Sequence, residues 1–191
     1  LKGQDVYLQR MAGRIAHTRN MQPVAPREPK IAYQVYMAEP DYVKSDGDIY
    51  GKGACILHTL RHLIGDDAFF RALRRMAYPR PEMEKFTDGR QVHFATTDDF
   101  LTIAERESGM KLDWFFELYL RQPKLPKLVS EVNGDRMDIH WETPNNMPFP
   151  MPIDIEENGK IRRLEMPDGK AVVYFKGGVA PKLDPKGWIL K

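Results

Sequence analysis

His58-Thr59-Leu60-Arg61-His62 sets two imidazoles at i and i+4, on one helix face, the spacing with which zinc peptidases hold their metal. Thr59, however, stands where the general-base glutamate of that motif belongs, and the surrounding residues are heavily apolar. His17, His93 and His140 fall in three different kinds of segment and supply no third ligand. The pair therefore reads as two packed or surface histidines, and no metal is expected on this chain. Cys55, next to Ala54 in the same apolar stretch, reads as an inert small residue. Asp98 and Asp99 suit a helix start, and Glu105 and Glu107 are too close in sequence to share a helix face. Arg61, Arg71, Arg74 and Arg75 could gather an anion, but at a near-neutral net charge a solvated helix face is the better account of them. No glycine-rich phosphate loop occurs, so Gly51 and Gly53 do not cradle a nucleotide. What is left is Asp48-Ile49-Tyr50-Gly51-Lys52-Gly53-Ala54. The Tyr50 phenol stays protonated at neutral pH and can donate a hydrogen bond without carrying charge. Taken alone it is an ordinary half-buried tyrosine at a helix start.

Composition narrows the partners. The 191 residues hold 29 Lys and Arg against 27 Asp and Glu, a net charge of +2, which argues against a nucleic-acid binder. Apolar residues make up 42% and charged residues 29%, the balance of an ordinary globular protein. One cysteine excludes an internal disulfide and any Cys-based metal cluster, and leaves the compartment undetermined. No apolar run approaches the ~20 residues of a membrane span, so a soluble chain without a membrane segment is expected. The sequence opens at Leu1, without an initiator Met, in the manner of a piece of something longer.

The elements that must position these groups change character near residue 127. Val6, Met11 and Ile15 predict a helix over 5–19. A stretch with Pro23, Pro26, Pro29 and Pro40 follows, in which Ile31, Tyr33, Val35 and Tyr36 are expected to pack in part. Ala54, Ile56, Leu57, Leu60, Leu63 and Ile64 predict a well-buried helix closed by Gly65. Asp66 or Asp67 is then expected to cap a helix whose inner face is Phe69, Phe70, Leu73 and Met76. Thr96 or Thr97 opens a helix ended by Gly109, and Asp113 caps a last one stopped by Pro123 and Pro126. From Leu128 the apolar residues alternate: Met137, Ile139 and Trp141, then Met151, Ile153 and Ile155. Further runs lie at 161–166, 171–175 and 188–190, separated by Asn133-Gly134, Asn158-Gly159, Asp168-Gly169 and Gly177-Gly178. The expectation is an α+β chain: a mainly α-helical bundle over 1–127, then a small antiparallel β-sandwich over 128–191 that leans on the helices.

The Tyr50 segment and the motifs after it resemble the aminopeptidase N family of zinc metallopeptidases (gluzincins), which includes the leukotriene-epoxide hydrolases. That family carries a Tyr-x-Lys-Gly-Ala segment opening a helix, as Tyr50, Lys52, Gly53 and Ala54 do here. An Asp-rich start with a Phe follows, matched by Asp66-Asp67-Ala68-Phe69, then a Thr-Thr-x-Asp-Phe segment, matched by Thr96, Thr97, Asp99 and Phe100. Ser108-Gly109 comes next, and Leu112-Asp113-Trp114-Phe115-Phe116-Glu117-Leu118-Tyr119-Leu120 with Pro123 and Pro126 resembles the end of the family's catalytic domain. Tyr119 stands where the family often has Trp, a difference that touches packing only.

The resemblance implies the C-terminal part of a catalytic domain followed by a β-sandwich. It implies a zinc ion that activates water for attack on the first peptide bond of a peptide substrate, and a tyrosine, here Tyr50, that donates to the tetrahedral oxyanion. The family's H-E-x-x-H segment and downstream glutamate occur nowhere in the 191 residues and would precede Leu1. Zinc is thus expected in the full-length enzyme and not on this chain, which alone should be inactive. The competing reading is a non-catalytic helical and β-sandwich interaction module derived from the same family.

Overall fold

The structure, a computed structural model, describes residues 3–18, 23–25, 27 and 48–191. Helix α1 covers Gly3–Ala16. It stops short of the expected residue 19 because His17 and Thr18 fold back, their N–H groups bonding the Arg14 and Ile15 carbonyls at 3.1 Å each. Of the proline-rich stretch, Pro26, Pro29, Pro40 and the expected packing residues Ile31, Tyr33, Val35 and Tyr36 lie outside the described residues.

A π-helical turn over Asp48–Lys52 runs directly into α2, Gly53–Ile64. Helix α2 is apolar on most sides and buries Cys55, Ile56, His58, Thr59, Leu60 and Leu63, as its pattern predicts. Gly65 ends it at φ 81°, its N–H bonding the Arg61 carbonyl at 2.9 Å. Helix α3, Asp66–Ala77, has no side-chain cap. The expected Asp66 cap is absent because Arg61 takes both carboxylate oxygens, at 2.7 Å each. Of the expected inner row Phe69 is buried and Met76 half-buried, while Phe70 and Leu73 are exposed and Ala68 and Ala72 complete the buried face. The exposed Phe70 ring lies beneath the Arg61 guanidinium, whose central carbon is 5.1 Å from the ring centre.

Helix α4, Thr97–Ser108, starts at a capping box in which Thr96 Oγ1 accepts from Asp99 N and Asp99 accepts from Thr96 N. Gly109 closes it in the left-handed region at φ 71°. Helix α5, Asp113–Arg121, is preceded by Leu112 and lacks the expected Asp113 cap, since Asp113 is already the first helical residue. It buries Phe115, Phe116, Leu118 and Tyr119.

The change of period near 127 marks the first strand, β1 (Lys127–Asn133). Strands β2 (Arg136–Glu142), β3 (Ile153–Glu157), β4 (Lys160–Leu164), β5 (Lys170–Tyr174) and β6 (Lys182–Leu183) follow. They make two three-stranded sheets in the orders β1-β2-β5 and β4-β3-β6, antiparallel throughout. Met137, Ile139 and Trp141 of one sheet and Ile153 and Ile155 of the other face a common core. Asn158 and Gly159, both at positive φ, form the two-residue hairpin between β3 and β4 that Asn-Gly favours. The chain is therefore α+β, helices first and strands after.

Residues 188–190 are not the expected strand. Trp188, Ile189 and Leu190 are buried as an irregular plug whose backbone is held by side chains. Asp184 accepts from Trp188 N at 2.7 Å and Ile189 N at 3.2 Å, Leu190 N donates to Thr59 Oγ1 at 3.0 Å, and Tyr119 donates to the Leu190 carbonyl at 2.7 Å. Arg163 of β4 adds bonds to the His62 and Leu63 carbonyls at 3.3 and 3.2 Å. The strands thus lean on α2 and α5, as expected of so small a β unit.

Candidate functional site

Tyr50 sits in the π-helical turn at the mouth of α2. Wide turns of this kind are rare and collect at functional sites. Two positions apart on such a turn, side chains point to roughly opposite sides, and the burial shows it: Tyr50 is 60% exposed and Lys52 only 1%. The tyrosine is thus further out than the half-buried placement expected for it. Lys52 Nζ donates to the Pro123 carbonyl, just beyond α5, at 2.6 Å.

Ile49, Tyr50 and Gly53 form one lip of an open cleft of about 650 Å³. Ile56 and Leu60 of α2, Phe100 of α4, and Phe116 and Leu120 of α5 wall it, with Thr96 and Thr97 at the rim. The volume suits a small ligand or a few residues of peptide, for which pockets run from about 300 to 1,000 Å³. An exposed phenol at the edge of an apolar cleft can donate to an oxygen of a molecule seated there, and the apolar walls strengthen that bond by excluding water. Among the described residues, no close backbone approach requires glycine at Gly51 or Gly53. A Cβ at Gly51 would meet nothing within 4 Å, and one at Gly53 only Val24 Cγ1 at 3.6 Å.

His58 and His62 are packed residues. Both rings stack on the Trp188 indole, with ring centres 4.7 and 5.2 Å from it. The Gly187 carbonyl, 3.3 Å from His58 Nε2, can only accept, so Nε2 carries the proton and Nδ1 accepts from the Tyr7 hydroxyl at 2.8 Å. His62 Nε2 lies 3.7 Å from Asp154. Burial lowers the pKa of both imidazoles. Thr59, at the position where a general base would stand, is committed to structure: it accepts from Leu190 N and directs its own proton to the Cys55 or Trp188 carbonyl, at 3.1 and 3.2 Å.

The remaining candidates are also placed. Cys55 is fully buried, and that burial pushes its thiol pKa up. The arginines that could have gathered an anion face carboxylates instead: Arg61 pairs with Asp66, Arg71 with Glu107, and Arg74 and Arg75 with Glu84. Glu105 turns away from Glu107 to accept from Leu112 N at 2.9 Å. Asp98 pairs with Arg121 at 2.9 Å. Among the described residues, no group of three or more His, Cys, Asp or Glu could hold a metal ion. No helix among them is long and apolar enough to cross a membrane. The sequence alone assigns Lys52 no catalytic role. The signal available was its place two residues after Tyr50, on the side that a helical start turns inward.

No protein-family model matches the chain. It is 29% identical over 104 residues to aminopeptidase N of Lactococcus lactis subsp. lactis, covering 53% of this chain and 11% of that protein. It is 22% identical over 135 residues to a probable aminopeptidase 2 of Sulfurisphaera tokodaii, covering 66% of this chain and 16% of that one. The chain thus matches less than a fifth of the length of either relative. Its fold is similar to that of Legionella pneumophila aminopeptidase A, solved in complex with aspartic acid, at a TM-score of 0.56 and 19% identity over 97% of this chain and 22% of the other. Sequence similarity and fold together support an aminopeptidase-family origin for this chain.

Proposed function

We propose that this chain is a segment of a zinc-dependent aminopeptidase that removes N-terminal residues from peptides, and that Tyr50 donates a hydrogen bond to the oxyanion formed at the scissile carbonyl. The observation that carries the reading is the placement of Tyr50. Its phenol is exposed, at the lip of an apolar cleft of peptide-residue size, in the segment whose order of residues resembles the family's. Zinc is the cofactor this reading requires, but the described residues do not fit a zinc site.

What this chain contributes is a donor and a wall. As a carbonyl carbon becomes tetrahedral, its oxygen gains charge, and a neutral phenol fixed beside it stabilises that charge without having to reorganise. The apolar residues of α2, α4 and α5 would seat a substrate side chain and keep water from competing for the oxygen. Without a metal or a general base, the 191-residue chain alone is expected to turn over no aminoacyl substrate. Hydrolysis by the purified chain, free of any other protein, would contradict that.

The direct test is Tyr50→Phe in the full-length protein that carries this chain. Loss of one oxyanion donor should lower kcat and kcat/KM together by roughly 10²–10³ and leave KM nearly unchanged. A pure rise in KM would make Tyr50 a ground-state binder, and an unchanged rate would make it a packing residue. Full-length protein lacking any peptidase activity would favour the interaction module.

A further inference from the structure

We infer that Lys52 is the positioning residue for Tyr50, an inference that rests on the role proposed above for that tyrosine. Four polar or charged residues are buried among those described: Lys52, His58, Thr59 and Asp184. The last three belong to the plug that joins the C-terminal segment to α2. Lys52 does not. It lies at the other end of α2, in the turn that bears Tyr50.

Taking an ammonium out of water is unfavourable, whereas Met or Leu would fill the same space without that cost. Directionality is what the cation supplies. Its bond to the Pro123 carbonyl spans 71 residues of chain and ends on a rigid point. Pro123 follows α5, which is fixed by the buried Phe115, Phe116, Leu118 and Tyr119. The same helix supplies Phe116 and Leu120 to the cleft wall. The bond therefore sets the height of the π-helical turn against the very helix that walls the cleft. Because Tyr50 and Lys52 lie on opposite sides of that turn, anchoring one fixes the direction of the other. A donor moved by about 1 Å from its productive position can lose about 10² in rate.

The test is a double-mutant cycle in the full-length protein. Lys52→Met should lower kcat by roughly 10- to 100-fold with KM within about twofold, because the donor is displaced and ground-state binding is not. In the Tyr50→Phe background the same change should cost less than about twofold, since no hydroxyl remains to be positioned. Equal losses in both backgrounds would overturn the inference and make Lys52 a general structural residue. A readout independent of activity separates this from the role of Tyr50: with 3-fluorotyrosine placed at position 50, Lys52→Met should shift or broaden its fluorine resonance. An unmoved resonance overturns the positioning role, while a moved resonance with a Tyr50→Phe rate equal to wild type upholds it and removes only the oxyanion role. Lys52→Arg, which keeps the cation on a longer, planar group, serves if the Met variant does not fold, and should give an intermediate loss.

Discussion

Asp184 shows how much one side chain can hold. It adopts a left-handed φ of 47°, which Asp tolerates better than most residues, and its side chain is 1% exposed. Its carboxylate accepts from Trp188 N and Ile189 N and pairs with Lys191. Asp184→Ala leaves those donors buried and unsatisfied, so the urea midpoint should drop by an amount equivalent to about 1.5–3 kcal/mol. A change within about 0.5 kcal/mol, the size of an ordinary surface substitution, would show that water replaces the carboxylate. Cys55 makes a second residue-scale case, since full burial and a raised pKa both suppress the thiolate. A disulfide reagent near neutral pH should label it only on unfolding, and rapid labelling of native protein would contradict this. The burial of Cys55 was legible in its apolar neighbours. The burial of Lys52 was not, because a lysine's sequence context rarely shows that a distant carbonyl, here that of Pro123, will receive it.

At the scale of elements, local punctuation succeeds where its bonds have no competitor. The capping box at Thr96 and Asp99 is complete within four residues, and hydrogen bonds from the Thr96 hydroxyl and N–H hold the Asp99 carboxyl pKa below the usual carboxylate range. Thr96→Ala should cost about 1 kcal/mol, read as a lower thermal midpoint, while Thr96→Ser should cost much less. Equal midpoints for the Ala variant and the parent would mean that α4 is held by packing alone. The caps expected at Asp66 and Asp113 fail for physical reasons. Arg61, five residues back across Gly65, captures Asp66, and Asp113 is itself the first helical residue of α5, with Leu112 in the cap position. The alternation after residue 127 was plain because one face of each sheet is buried, so Met137, Ile139 and Trp141 had to recur at a period of two. Residues 188–190 misled because a run of three apolar residues fits a strand and a core plug equally well. Strand β6, only Lys182–Leu183, is too short to show any period.

At the scale of the whole molecule, the joint between helices and sheets is built around Trp188, which packs against His58, His62 and Tyr7. Both imidazoles are held in a place that favours their neutral forms. Burial is the leading cause for each, Arg61 adds repulsion at His58 and Arg163 at His62, and Asp154 and Asp184 oppose the effect only in part. Their folded pKa values thus lie below the unfolded ones, so the unfolded chain binds more protons as pH falls through 6.5. The stability they contribute is complete above that value and is lost as pH drops towards the folded pKa. Urea midpoints taken at about pH 7.5 and about pH 5.5 should therefore differ, with the lower pH less stable. His58→Gln keeps a donor and an acceptor in the ring's place but removes its titration, so it should reduce the difference, and His58→Gln with His62→Gln should reduce it further. The loss should also be local at first. Trp188 fluorescence and protection of the Leu190 amide, which is bonded to Thr59, should weaken at pH values where the exchange protection of the β1–β2 ladder is still intact. Simultaneous loss at both places would mean that helices and sheets unfold as one unit and that the joint is no weaker than what it joins. A double variant as sensitive to acid as the parent would place the titrating groups elsewhere, in the carboxylates paired across the surface.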